Sequence, residues 1–302
     1  MLDVLVTIAP LFLLIAAGAC LRLARLADDR WTTALNQYGL CAAFPALILQ
    51  SLTTLPDATT VPLALIATNL LVLNVFLFGI HALARALGAS PSLAASLAVC
   101  GTYGNIAYLG LPFLAAVLPG SEASAIYHAA VYLVVLFTSG IGLLETVRGG
   151  RVAPWALLTA LTRNPLTLSI GIGLALAATG IRLPAPLAKG VSMLAASASP
   201  TVLISLGVFV GQGVGLDRDV WAAALLTAVK LVALPALFLL VYVAQGRDPA
   251  ARVSVLQAAM PVGLTGFALA QRYPLEKRVI AYAVTLSTLL SALTLPLLTH
   301  WL

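Results

Sequence analysis

The chain has 302 residues, 61% of them apolar and only 9% charged, with a mean hydropathy of +1.06. Those values exclude a soluble globular domain and describe an integral membrane protein. The net charge of +6 comes from 16 Lys and Arg scattered singly between apolar runs, so it excludes a nucleic-acid partner and is read as a topology signal.

Apolar runs of about 20 residues, the length needed to cross the hydrocarbon core, predict ten spans. The first, residues 2–23, is followed by Arg22, Arg25, Asp28, Asp29 and Arg30. It lacks a basic leader and a small-residue cleavage site, so it is read as a retained helix. The second covers 31–52 with Pro45 inside, and the third covers 61–87. Ser90 and Pro91 then supply an N-cap and a first helical residue for the fourth span, which ends near Pro119-Gly120. The fifth runs over 121–147 and closes on Arg148-Gly149-Gly150-Arg151, the boundary between a first repeat, 1–148, and a second, 151–302. Residues 155–162 predict a short interfacial helix, with Trp155 and Arg163 at headgroup level. The sixth to tenth spans are 164–180, 187–210, 220–244, 251–273 and 278–298. Cys20, Cys41 and Cys100 all lie in apolar runs without metal-ligand spacing and are expected to be unpaired structural thiols. No metal and no cofactor is expected.

The fourth span carries the most unusual sequence: Cys100-Gly101-Thr102-Tyr103-Gly104-Asn105-Ile106-Ala107-Tyr108-Leu109-Gly110-Leu111-Pro112. Three glycines, an asparagine and a proline at mid-depth predict a helix broken inside the bilayer. Hydrocarbon cannot satisfy the backbone groups such a break exposes, so breaks survive only against protein or a wet cavity, as in the binding sites of secondary transporters. The ninth span predicts a second break at Met260-Pro261-Val262-Gly263-Leu264-Thr265-Gly266. One offset relates the halves: it carries Pro10 onto Pro165, Gly18 onto Gly173 and Pro45 onto Pro200, and lays Asn105–Gly110 over Met260–Thr265. Five helices per repeat make the pair inverted, which brings the two breaks together near the midplane. The links after odd-numbered spans hold eleven of the cationic residues, against Arg182, Lys189, Arg247 and Arg252 after even-numbered ones. The positive-inside rule then places both termini on the non-cytoplasmic side of the cell membrane.

Each half-helix that restarts at the midplane offers unpaired N–H groups, over 106–109 and 263–266, and the positive end of its dipole. That is an anion site needing no metal. Asn105 is expected to orient a carboxylate or, alternatively, to cap its half-helix. Thr265, Tyr103 and Tyr108 offer hydroxyls, and Ile106, Val262 and Leu264 apolar contact, with Gly104, Ala107, Pro261 and Gly263 completing the crossing. Lys230, mid-way along the eighth span, is a candidate for charge compensation or coupling, with snorkelling to the interface as the alternative. Glu145, His81 and His300 are assigned to packing or the interface; His128 is too, though it is deep enough to relay protons.

The Asn105-Ile106-Ala107-Tyr108-Leu109-Gly110-Leu111-Pro112 crossover resembles the fourth helix of the auxin efflux carrier family, and Ala258-Ala259-Met260-Pro261-Val262-Gly263, with Phe267, Ala270 and Tyr273, resembles its ninth. Arg163-Asn164-Pro165, Ser205-Leu206-Gly207, and Lys230 followed by Pro235 also fall where that family has similar residues. The resemblance implies a ten-helix, all-α inverted-repeat carrier. Spans one, two, six and seven (2–52 and 164–210) would form a dimerising scaffold. The rest (61–147 and 220–298) would form a transport domain that moves as an elevator. It further implies organic anions, auxin and malonate among them, as substrates. Plant members carry an acidic residue in the third span; here Asn69 is the nearest polar side chain.

No hydrolase elbow, paired-histidine helix or phosphate loop is present, and Gly211-Gln212-Gly213-Val214-Gly215 reads as an interhelical link, so no enzymatic activity is expected. The expected function is secondary transport of a small organic anion, driven by protons or by the substrate's own gradient, in contact with the lipid bilayer. The alternatives are a sodium-coupled symporter of the bile-acid type and a receptor that binds without translocating.

Overall fold

The computed structural model describes residues 2–54, 63–150, 155, 158–159, 162–214, 217–270 and 272–302. Among these the secondary structure is helical, without a strand. Helix α1 is Leu2–Leu23, α2 covers 29–54, α3 is Leu63–Ala86, α4 Pro91–Thr102, α5 Ile106–Val117 and α6 Glu122–Val147. In the second half α7 is Pro165–Thr179, α8 Ala185–Val210, α9 Asp219–Ala244, α10 Pro249–Ala258, α11 Leu264–Leu269 and α12 Lys277–Trp301. Six of them, α1, α3, α6, α8, α9 and α12, are long and apolar enough to cross a bilayer, and α4, α5 and α7 are shorter apolar helices. The protein is a multi-pass membrane protein. The interfacial helix expected over 155–162 and the start of the expected third span fall largely or wholly outside the described residues.

Local chemistry explains the ends of these helices. Asp28 accepts from the Arg30 N–H at 2.9 Å to open α2, Ser90 accepts from Leu93 N–H at 3.1 Å to open α4, and Asn164 accepts from Leu166 N–H at 2.9 Å to open α7. Pro91 and Pro165 occupy the first helical position, where a missing N–H costs nothing. Gly180 closes α7 in the left-handed region, at φ 66°.

Prolines inside the membrane leave a distinct mark. The π-helical turns Gly39–Ala43, Ile106–Gly110 and Val229–Ala233 each end two residues before a proline, at Pro45, Pro112 and Pro235. Proline removes an N–H and clashes with the carbonyl four residues back. Widening the preceding turn by one residue accommodates both effects without ending the helix. A fourth such turn, Leu136–Gly140, has no proline behind it.

The helices pack in two sets. Helix α8 lies against α1 and α2, and α7 lies against the C-terminal part of α2. In the other set α3 packs on α4 and α6, α9 on α10 and α12, and α10 on α6. Glycines allow the closest approach, between α1 and α8. A Cβ on Gly207 would meet the Ile15 carbonyl oxygen and come within 2.9 Å of the Gly18 Cα, and a Cβ on Gly18 would meet the Ile204 carbonyl oxygen. Helices in lipid associate through such small-residue contacts because no hydrophobic gain separates protein from acyl chain. Replacing Gly207 with alanine is expected to destabilise the protein by about 1–3 kcal/mol through overpacking. Thermal unfolding in detergent should show a lowered midpoint for this variant. The same change at Gly79, whose Cβ would meet nothing within 4 Å, should leave the midpoint unchanged or raised.

Candidate functional site

Both expected helix breaks are present and meet. Helix α4 ends at Thr102, Tyr103 takes an extended conformation (φ −91°, ψ 106°), and helix resumes at Ile106. Helix α10 ends at Ala258, and α11 starts at Leu264. The two gaps run antiparallel, with Gly104 bridged to Val262 and Asn105 N–H donating to the Pro261 carbonyl at 2.7 Å. Backbone groups freed by one break are therefore satisfied by the other, which is what a dry interior demands. Val262 N–H donates to Ser287 Oγ at 3.0 Å, and Lys230 Nζ donates to the Ala258 carbonyl at 2.7 Å. Glycine is required on both strands of the crossing. A Cβ on Gly263 would sit 2.9 Å from the Gly104 carbonyl oxygen, and one on Gly104 would sit 2.5 Å from Lys230 Cε and 3.0 Å from the Met260 carbonyl oxygen.

A cavity of about 570 Å³ opens on one side of the crossing. Its floor is Tyr103, Gly104, Asn105, Ile106, Ala107 and Tyr108 from the first break, with Gly263, Leu264 and Thr265 from the second. The sequence-based candidates Pro261, Val262 and Lys230 are not on its wall. They lie behind the crossing, Lys230 wholly buried in the π turn of α9 and packed against Gly104. Lys230 ends on the Ala258 carbonyl inside the fold and does not extend to an interface. Tyr103 and Thr265 share the cavity floor, one from each break, and Tyr108 stacks on Phe44 of α2 with ring centroids 4.9 Å apart.

Asn105 is 4% exposed, its Nδ2 has no hydrogen-bond partner, and its side chain makes no capping bond to α5. The helix-cap alternative is thereby removed. The amides of Ile106, Ala107 and Tyr108, and those of Leu264 and Thr265, begin their half-helices and have no intrahelical acceptor. The expected sets, 106–109 and 263–266, are narrower in the structure. Leu109 N–H reaches the Asn105 carbonyl at 3.3 Å within the π turn, and Gly266 N–H reaches that of Gly263 at 3.2 Å.

The opposite wall comes from residues that sequence reasoning passed over. Thr32, Thr33, Asn36 and Gln37 of α2 line the cavity with Asp29, and so do Asn164, Phe209, Gln212 and Phe267. Asp29, the one carboxylate on the wall, is paired with Arg22 at 2.8 Å and accepts from Gln212 Nε2 at 3.2 Å. Ser205 Oγ donates to Asn36 Oδ1 at 3.1 Å and fixes α2 against α8. The α2 residues had a signal. Positions 29, 32, 33, 36 and 37 recur at helical spacing and form a polar stripe on one face of an otherwise apolar span.

The family model described as "Membrane transport protein" matches residues 3–299. The chain belongs to this family. An "Uncharacterized transporter" of Methanothermobacter thermautotrophicus is 26% identical over 96% of this chain and 96% of its own length. A "Probable auxin efflux carrier component 5a" of Oryza sativa subsp. japonica is 33% identical over 49% of this chain and 43% of its own length. The auxin efflux carrier resemblance of the two crossovers is thus accompanied by a match to an auxin efflux carrier over about half of the chain. As a member of the membrane transport protein family, the protein is a transporter and not an enzyme.

Proposed function

We propose that this transporter carries a small organic anion, a mono- or dicarboxylate, across the cell membrane, holding it over the crossing of the two broken helices. One observation carries this reading: two half-helix N-termini and the Asn105 amide, unpartnered among the described residues, border a single cavity on whose described wall the one carboxylate is already paired. Oriented N–H groups and the positive ends of two helix dipoles favour a negative guest. The cavity volume falls within the roughly 300–1,000 Å³ usual for small-molecule sites. Ile106, Leu264 and Phe267 take the apolar part of the ligand, and Lys230 adds positive charge from beneath Gly104.

Ten passes in two inverted repeats, 1–148 and 151–302, complete the proposed architecture, with α2, α7 and the pairs α4/α5 and α10/α11 added to the six long helices. The two packing sets support a division into a scaffold (α1, α2, α7, α8), through which two copies would dimerise, and a moving domain (α3–α6, α9–α12). With the positive-inside orientation, both termini lie on the non-cytoplasmic side. The cavity mouth at Asp29, Asn164 and Gln212 then faces the cytoplasm, the inward-open end of an elevator cycle.

Counterflow of radiolabelled malonate in proteoliposomes tests the carrier reading. Saturable exchange that persists when choline replaces sodium is expected, whereas binding without exchange would favour a receptor. Lys230→Met removes the positive charge buried behind Gly104 and is expected to raise the half-saturating malonate concentration. An unchanged value would restrict Lys230 to holding α10.

A further inference from the structure

Behind the crossing, away from the cavity, lies a second polar cluster. His128 of α6, 2% exposed, has Nδ1 2.6 Å from the Ser124 carbonyl and Nε2 2.6 Å from Ser254 Oγ of α10. Asn69 of α3, 1% exposed, donates from Nδ2 to Leu65 O at 2.8 Å and to the same Ser254 Oγ at 3.0 Å. One turn along α10, the buried Gln257 donates from Nε2 to Ala125 O at 2.9 Å.

The hydrogen positions follow from these partners. A carbonyl only accepts, so His128 Nδ1 carries the hydrogen toward Ser124. Ser254 Oγ receives an N–H from Asn69, so its own hydrogen points to the lone pair of His128 Nε2. In the same way, both amides are fixed by the carbonyls they face, which leaves Asn69 Oδ1 and Gln257 Oε1 as oxygens. Both are buried and have no donor. Each unmet polar atom at this depth costs about 1–3 kcal/mol, so a positive charge arriving beside these oxygens is favoured.

We propose that this cluster of His128, Ser254 and Asn69 is a proton-binding site, with His128 Nε2 taking the proton that accompanies the anion. This proposal rests on the carrier reading given above. A hydronium ion gives its proton to Nε2 and leaves as water. The new N–H then donates to Ser254 Oγ, and the Ser254 hydrogen, displaced from Nε2, turns away from the ring. The imidazolium formed adds a positive charge to the helices that hold the anion, and the two charges offset each other within the membrane.

The site is joined mechanically to the crossing. Ser254 and Gln257 lie on α10, which ends at Ala258, the acceptor of Lys230, and leads to Pro261, the acceptor of Asn105. The charged and titratable side chains on the elements packed around His128 are Glu122, Tyr127, Tyr132 and Glu145 along α6, and Arg252 on α10. On α3 they are His81 and Arg85, about 18 Å or more beyond Asn69 at 1.5 Å per residue. Tyr108 lies on α5, Asp29, Arg30, Tyr38 and Cys41 lie on α2, and Lys230 lies beyond on α9. None of them is hydrogen-bonded to His128, whose partners are Ser124 and Ser254.

The test uses reconstituted full-length protein with malonate as the probe. Wild type should accumulate malonate when an inward proton gradient is imposed and lose that accumulation with a protonophore. His128→Gln, with an unfolding midpoint in detergent close to that of wild type, should lose gradient-driven accumulation, and Ser254→Ala should weaken it in the same sense. Equal gradient-driven accumulation by His128→Gln would overturn the proposal, and so would wild-type counterflow indifferent to the gradient. If wild type shows no counterflow at all, the carrier reading fails for this probe. The site is then judged by ¹⁵N-histidine NMR of the wild type, assigned with His128→Gln. Conversion of His128 from the Nδ1–H tautomer to the doubly protonated ring within pH 5–8.5 supports the site, and a ring unchanged across that range overturns it.

Discussion

Replacing Asn105 with leucine should abolish most malonate transport while leaving the fold intact. Among the described residues the structure records no hydrogen-bond partner for the Asn105 side chain, and its Nδ2 is buried. Removing the amide therefore breaks no internal contact, and exchanging an unmet buried donor for an apolar group of similar size is neutral or stabilising. If that amide binds the carboxylate, the lost charge-assisted bond is worth about 1.5–3 kcal/mol, and half-saturation rises roughly 10- to 100-fold. Counterflow and thermal unfolding should be measured on the same preparation. Weakened transport with an unchanged or raised unfolding midpoint is the expected pairing. Equal loss of stability and transport would return Asn105 to a structural role.

Gly263→Ala should abolish transport by disrupting the crossing itself. Its Cβ would press on the Gly104 carbonyl, a backbone atom with no rotamer to yield, and force apart the strands joined by the Asn105 to Pro261 bond. Overpacking of this kind costs about 1–3 kcal/mol, and here it also displaces the half-helix amides from the ligand. The expected result is a lowered unfolding midpoint and no measurable counterflow. Gly104→Ala is the informative contrast, because the nearest atom is the flexible Lys230 side chain at 2.5 Å. The lysine can turn, so this variant should fold better than Gly263→Ala while still transporting poorly. A Gly263→Ala protein with normal exchange would mean that the crossing is not the transport site.

The breaks were legible in the sequence because glycine, asparagine and proline in an apolar run have few other uses. Their meeting was legible because one offset superposed both halves. Gly104, Asn105 and Gly263 were found this way. The far wall of the cavity was not, although Thr32, Thr33, Asn36 and Gln37 stand at helical spacing in the second span. That span was read only as a membrane helix with Pro45 inside. Which face it presents depends on how α2 leans on α8, and a single helix does not encode that. Lys230 shows the same limit from the other side. Its depth was evident from the length of the span, but its direction is set by the π turn before Pro235, which rotates the helix face relative to an unbroken α-helix. His128 was visible only as a lone histidine, since its partners Asn69 and Ser254 lie 59 and 126 residues away in sequence (128 − 69 and 254 − 128).

The central claim is that a carboxylate occupies the cavity floor between Asn105 and Thr265. Ala107→Cys, placed on that floor in a background with Cys20 and Cys41 changed to serine, provides a direct reading. Cys100 is buried and remains. Modification of the new thiol by a small charged thiol reagent should slow as malonate is added, with the half-effect at the concentration that half-saturates counterflow. A modification rate indifferent to malonate, in a protein that still exchanges it, would place the substrate elsewhere and contradict the account.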